Sequence, residues 1–443
     1  MMTYLIFIAL AASGIGQTTD SRWKAGLARA DITPDEPIWM AGYADRTRPS
    51  EGVRQRLHAK ALALEDESGA KAVLVTLDLI GLPRNAAEPI ARMAEQRHGL
   101  ARERLMLNAS HTHSGPMAGY HRRPNYEIPD QTRLVVHRYT DRLVEQVVNL
   151  IGEALRDLAP ARLEMEMGLA GFAVNRRRVQ QRHLPGPVDH DVLVVSVRGA
   201  DGKQRGVLFG YACHATVLND YQISGDWPGY AQEEIERAHS GVMALFVAGC
   251  GADQNPLPRR TVELAQTYGK VMAVAVSQVL RGRMTALGGR LGTAIQHVDL
   301  PFEAHPPKSE WQERAQSKSQ AVARHARQML AAIAEHGSLP ASYSYPVQVW
   351  RFGPRFTLVA LAGEVVVDYS LRLRKLLGWN QVWVASYSND VFAYIPSARV
   401  LEEGGYEGRD AMLGYGQPGA FAPPVEEIIV STVSEMVRRL GER

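Results

Sequence analysis

Only two cysteines, Cys213 and Cys250, occur in 443 residues. That excludes a scaffold stapled by disulfides, so the fold must rest on apolar burial. Both cysteines stand beside candidate site residues and read as small buried apolar side chains. Charge of one sign is lacking too: 50 Lys and Arg face 47 Asp and Glu, for a net charge of +3 with no basic block. Nucleic-acid binding therefore has no electrostatic footprint here. No run is apolar and long enough to span a bilayer, and no short-period repeat or low-complexity tract occurs. What remains is an ordinary globular composition, 45% hydrophobic and 22% charged, in a chain long enough for a large core.

Residues 4–12 form a short apolar run, followed by Ser13, Gly14 and Gly16 and then a polar segment. This is the pattern of a secretory signal peptide over residues 1–16, too short for a stable membrane anchor. No Lys or Arg precedes the run, and a buried first strand is the alternative. The expectation is an exported, soluble protein beginning near Gln17. Residues 59–64 and 72–77 flank Asp66-Glu67-Ser68-Gly69 as a hairpin, and residues 191–197 and 206–211 make a second. Helical spacing covers residues 86–98, 135–155, 231–238, 262–280, 308–336 and 423–440, with Glu364 opening a further helix over 365–377. Strands alternating with helices, with hairpins mixed in, predict an α/β (α+β) fold. The expected architecture is mixed β-sheets flanked by helices in a single large catalytic domain over residues 17–443.

Polar residues recur where the apolar strands end: Asp78, His111, His214, Asp253, Glu364 and Asn389. Sites in layered α/β folds gather at such ends, so these positions are expected to converge. The densest stretch is Ser110-His111-Thr112-His113-Ser114-Gly115-Pro116, after the apolar Leu105-Met106-Leu107. Read as a strand end, it puts His111 and His113 on one face as a pair suited to zinc. The bland reading is two partly exposed loop histidines. For His214 it is a hydrogen-bonded core histidine, and for Glu364 a carboxylate favoured by a helix dipole. Asn175-Arg176-Arg177-Arg178 reads either as a solvated cluster or as a binder of an anion or carbonyl. Asp226 and Asp253 read equally as supports behind ligands or as turn formers.

Side by side, these segments resemble the N-terminal catalytic domain of the neutral/alkaline (non-lysosomal) ceramidases. The resemblance runs in order from about Ala25 to the C-terminus. It is carried by the Ser110 to Pro116 motif, His214 after an apolar strand, and Ser224-Gly225-Asp226 with Gly229-Tyr230-Ala231. Gly363-Glu364, and Tyr394 ahead of Tyr406-Glu407-Gly408, complete it. The resemblance implies a zinc amidase whose metal ligands are His111, His214, Glu364 and Tyr394. It further implies that His113 stands near the scissile amide without holding the metal. Arg176 would help shape the site, and Tyr406 would hydrogen-bond the reacting carbonyl. The residue types agree: two imidazoles and a carboxylate leave room for a water, whose pKa zinc lowers from about 15.7 to roughly 7. An imidazole titrating near neutrality would suit His113 to pass a proton to the leaving amine.

The chain departs from the family's pattern in two places. The family has a serine in a Gly-x-x-Ser-Pro-Asn turn; here the turn reads Gly251-Ala252-Asp253-Gln254-Asn255-Pro256. Gln254 replaces the serine and is no nucleophile, which rules out a covalent serine route at this position but not a zinc-hydroxide route. The changed turn is expected to reshape the wall that meets substrate. The chain also stops after its closing helix, and no C-terminal β-sandwich domain is expected. Three functions remain: a zinc-dependent hydrolase of an amide in an N-acyl lipid or other small molecule, the same centre acting on an ester or glycoconjugate bond, or an exported binding protein with a vestigial site.

Overall fold

A computed structural model describes residues 23–120, 123–180 and 186–442. The expected signal peptide at residues 1–16 lies outside the described residues. Among them, nine strands form one mixed sheet. Its order is Met243–Ala248, Gln204–Tyr211, Asp191–Gly199, Ala159–Leu169, Trp23–Asp31, His58–Glu65, Lys71–Leu77 and Leu105–Ala109, with Thr285–Leu287 also paired to Ala159–Leu169. Both expected hairpins are present, with Ala61 opposite Val75 and Val195 opposite Leu208. A second sheet runs Leu291–Pro301, Ser342–Phe352, Phe356–Leu361 and Val382–Ala385.

The strands read as continuous apolar runs because both faces of the large sheet are covered. Along His58–Glu65, Ala59, Ala61 and Ala63 enter one core while Leu62 and Leu64 enter another. The first core is closed by helices Arg84–His98 and Asp130–Arg156, through residues such as Ile90, Val147 and Ile151. Helices Asp226–Ala238 and Val262–Arg281 cover the other half of that face, with Trp227, Ile235, Met272 and Val276. The opposite face shares its core with the second sheet: Leu74, Leu163 and Leu245 lie with Trp350, Leu358 and Trp383. Trp350 is 1% exposed, and truncating it to alanine would cost about 3–5 kcal/mol. Helices Val367–Leu377 and Val425–Gly441 close the far side of the second sheet. The layers are therefore helix, sheet, sheet, helix.

The ends of strands from both sheets are stitched together. Single bridges join Asn108 to Ser388, Gly249 to Ala385 and Thr112 to Ala215. A two-residue parallel pairing sets Glu364 against Tyr394 and Val365 against Ile395. Two expectations change at this seam. The strand Leu105–Ala109 stops before the histidines, and His111 has φ +61°, so the pair lies in a turn and owes nothing to strand alternation. Glu364 does not open a helix: the helix begins at Val367, and pairing with the Tyr394 strand holds the carboxylate in place. Gly363, at φ +75°, makes the turn before it, and a Cβ there would meet Ala393 O at 2.8 Å. The expected helix at 308–336 is two helices, Lys308–Arg314 and Gln320–His336.

Candidate metal centre and cleft

His111 and His214 are each anchored from behind. His111 Nδ1 lies 2.6 Å from Ile80 O, and His214 Nδ1 lies 2.7 Å from Gly251 O. A carbonyl only accepts, so each Nδ1 carries the proton and each Nε2 presents a lone pair. Both Nε2 atoms face Glu364 Oε2, at 3.1 and 3.3 Å. Glu364 Oε1 accepts the Tyr415 hydroxyl, whereas Oε2 has no donor. The site is buried, with Glu364 3% and His111 1% exposed. An anionic oxygen facing two lone pairs away from water is unfavourable unless a cation sits among them.

The donor set fits a metal of the zinc type. Bonds of about 2.0–2.2 Å in a tetrahedron place ligand atoms roughly 3.4 Å apart. The Glu364 contacts match that spacing, and Tyr394 Oη is 3.5 Å from His214 Nε2. Nitrogen and oxygen donors without sulfur suit zinc and other divalent transition metals. Cys213 and Cys250 are buried elsewhere in the core, where burial pushes both thiols well up.

His113 completes a buried group with His111 and His214 whose ligand nitrogens lie within 4.8 Å of one another and could hold a metal ion. Its Nε2 is 3.1 Å from His111 Nε2, but its buried Nδ1 has no partner. Its ring fits against Gly42, at φ +106°, where a Cβ would come within 2.6 Å of the imidazole. Burial, then the neighbouring His111 and His214, push His113 well below the ordinary imidazole range. Burial and then Arg176 bring His214 down to about 4. Both are uncharged at neutral pH, so His113 begins as a proton acceptor. The expectation that it titrates near neutrality is thereby corrected.

Arg176 ties the site to its surroundings. Its Nε donates to Glu407 Oε1 at 2.6 Å, its Nη2 donates to Tyr394 Oη at 3.0 Å, and its Nη1 lies 3.3 Å from His214 Nε2. The arginine run is not a solvated face. Arg177 pairs with Glu403 and Glu407, and Arg178 with Glu403. An open cleft of about 490 Å³ leads in past Tyr43, His113, Arg176, Arg260, Tyr394 and Tyr406. Tyr406 stands on its wall, 54% exposed, with its ring 5.3 Å from that of Tyr394.

Residues 23–277, more than half the chain, match the family described as neutral/alkaline non-lysosomal ceramidase, N-terminal. The chain belongs to that family. A neutral ceramidase of Pseudomonas aeruginosa is 29% identical over 269 residues, which is 56% of this chain and 39% of that protein. One of Drosophila melanogaster is 25% identical over 261 residues, 54% of this chain and 35% of the other. The matched segment thus spans well under half of these relatives. The solved structure of neutral ceramidase from Pseudomonas aeruginosa has the same fold, with a TM-score of 0.76 over 95% of this chain and 75% of that one, at 21% identity. A structure of a ceramidase complexed with C2 gives 0.74 over 95% and 76%, at 19% identity.

In this ceramidase-family chain Gln254 does not meet the cleft. It is 0% exposed, its Oε1 accepts the Asp189 N–H at 2.9 Å and its Nε2 donates to Ala212 O. Its own carbonyl accepts the His214 N–H at 2.9 Å. The turn's contribution to the wall is Asn255, which stands where the family's turn has its proline, while Gln254 itself lies behind the wall. The aspartates act as backbone braces. Asp226 accepts the amides of Val217, Leu218 and Trp227 just after His214. Asp253 accepts the Val367 amide and the Asn175 side chain, and Asp78 accepts the His58 amide and Gln232. Burial still raises Asp226 and Asp253 to about 6.

Two tyrosines at the centre escaped sequence reasoning. Tyr387 stacks on His111 with ring centroids 4.2 Å apart and planes at 26°. It directly precedes the Ser388-Asn389-Asp390 strand end, where a signal was available. Tyr415 lies between Gly414 and Gly416, far from any apolar strand, and carried no such signal.

Proposed function

We propose that this chain is a zinc-dependent hydrolase that cleaves the amide of an N-acyl compound, a ceramide-like lipid or a related small molecule. The observation that carries this reading is the convergence of His111 Nε2 and His214 Nε2 on the donorless Glu364 Oε2, at 3.1 and 3.3 Å, beside an open cleft. Membership of the ceramidase family supports the choice of bond. His111, His214, Glu364 and Tyr394 would hold the metal. When bound, zinc supplies a Lewis acid for a carbonyl and an acidified water near neutral pH.

The chain's own groups do the rest. His113, uncharged and on the cleft, takes up a proton and returns it to the leaving nitrogen through Nε2, the ring nitrogen that faces the centre. Arg176 fixes Tyr394 and places positive charge beside the centre. Tyr406, on the wall, offers an O–H to the reacting carbonyl oxygen. The apolar run at residues 4–12 supports export. Among the described residues no helix is long and apolar enough to cross a membrane.

Metal analysis of the purified protein beside His111→Ala and His214→Ala tests the centre. One zinc per chain in the wild type and none in either variant is expected. Wild-type protein without stoichiometric zinc overturns the reading. Assays on matched N-acyl and O-acyl substrates test the bond, with amide cleavage abolished in both variants.

A further inference from the structure

Four arginines line the cleft, and they are of two kinds. Arg176 pairs with Glu407 at 2.6 Å, and Arg177 with Glu407 at 2.7 Å and Glu403 at 3.0 Å. Arg259 and Arg260 have no carboxylate partner among the described residues, and Arg259 has no hydrogen-bond acceptor there either. Arg259 is half-buried. Its charged neighbours Arg260 and Arg176 repel it. Asp226 is the carboxylate that attracts it, and that group is already taken up by three backbone amides. Drawing a guanidinium out of water costs free energy unless an acceptor replaces the water. Arg176 and Arg177 have that acceptor within the protein; the half-buried Arg259 has none and stays open to the cleft.

Arg260 is held where it can act with Arg259. Its backbone sits at φ +98°, a conformation that non-glycine residues rarely adopt and that tends to mark functional sites. The backbone N–H donates to Val217 O at 2.7 Å, and Nη1 donates to Tyr43 Oη at 3.0 Å. The Tyr43 ring lies 5.0 Å from that of His113. One aromatic ring therefore separates Arg260 from the histidine group. Adjacent guanidinium forks match the oxygen geometry of a carboxylate, sulfonate or phosphate.

We infer that the amine portion of the substrate carries an anionic group, a carboxylate, sulfonate or phosphate a few bonds from the scissile amide, which Arg259 and Arg260 receive. This rests on the amidase reading above and narrows it: an uncharged amine would leave Arg259 without an acceptor and Arg260 with Tyr43 alone.

N-dodecanoyltaurine and N-dodecanoylethanolamine share the acyl chain and differ by a sulfonate against a hydroxyl. The wild type should favour the sulfonate in kcat/KM by at least about tenfold, mostly through KM. The preference should fall towards parity in the Arg259→Gln, Arg260→Gln double variant and shrink as salt is raised. Arg259→Lys and Arg260→Lys should keep part of it. Equal kcat/KM for both substrates in the wild type overturns the inference. So does a double variant that melts like the wild type yet loses both substrates to the same degree. Calorimetry with hexanesulfonate and hexanol on the zinc-loaded protein reads binding without turnover. Saturable sulfonate binding that the double variant loses supports the inference even if neither amide is cleaved, an outcome that would sink the amidase reading alone. Cleavage of both amides at equal rates without sulfonate binding sinks the inference and leaves the amidase reading standing.

Discussion

Replacing Tyr415 by phenylalanine removes one O–H and little else. The ring remains, and with it the contact to the Arg123 guanidinium 4.4 Å from its centroid. What is lost is the donor on Glu364 Oε1. Glu364 is 3% exposed, so water cannot take the donor's place. A hydrogen bond to a charged group contributes about 1.5–3 kcal/mol. At about 1.4 kcal/mol per tenfold, that corresponds to roughly 10- to 150-fold in an equilibrium constant. Outer partners of metal ligands typically account for about 10- to 100-fold in metal affinity, so the two estimates agree. The loss should appear in zinc affinity because Tyr415 fixes the carboxylate with Oε2 aimed at His111 and His214. Competition against a chromophoric chelator at neutral pH measures it. Tyr415→Phe should bind zinc about 10- to 100-fold more weakly, and the chelator-stripped variant should also melt below the stripped wild type, since a buried carboxylate has lost its donor. Zinc affinity within about twofold of the wild type, too small for one charged hydrogen bond, would refute the reasoning.

His113→Ala should keep one zinc per chain and lose about 10²- to 10⁴-fold in kcat, the usual range for a proton-transfer group. Loss of the zinc would make His113 a ligand and overturn the division of the pair. Gln254→Ala leaves the Asp189 amide and the Ala212 carbonyl without partners in a fully buried turn, and should lower stability by about 2–4 kcal/mol in denaturant titrations. Gln254→Ser should not restore it, since serine is too short to span both; a wild-type midpoint in either variant would show that the brace is idle. Burial raises the Glu403 carboxyl, but Arg178, Arg177 and Arg399 outweigh it and bring it down to about 2. A depressed carboxylate stabilises the fold above its unfolded value of about 4.3 and ceases to as pH falls towards the folded value. Wild-type melting should therefore drop between about pH 4.5 and 2 more steeply than that of Glu403→Gln; parallel melting curves in that window would count against the arginine cluster.

The large sheet was legible because burial on two faces leaves a plain mark. Ala59 to Leu64 and Ala72 to Leu77 are apolar at every position but Lys60 and Thr76, and the turn residues between them set the hairpin. What stayed hidden was the stacking of one sheet on the other. The residues that make it, Trp350 and Trp383 from one sheet and Leu74 and Leu245 from the other, are far apart in sequence. Nothing in any single strand says which of its two faces meets a helix and which meets a sheet. The turns that aim the ligands were equally hidden. His111 at φ +61° is forced by tertiary bonds, its N–H to Leu79 O and its Nδ1 to Ile80 O, that local propensity does not encode.

The same bonds explain why the two histidines of one motif are not equivalent. A ligating imidazole almost always donates its second N–H to an outer acceptor, which fixes the ring and its lone pair. His111 has Ile80 O and His214 has Gly251 O, both backbone carbonyls at the ends of other segments. His113 has none: its Nδ1 is buried and bare, and its ring meets the cleft beside Tyr43. The motif puts two identical side chains two residues apart and so cannot distinguish them. The carbonyls behind them can, since an imidazole whose tautomer is fixed from behind is prepared to hold a cation, whereas no acceptor fixes the tautomer of His113. The proposed assignment of His111 to the metal and His113 to the substrate thus depends on Ile80 and on the missing counterpart behind His113, neither of which belongs to the motif.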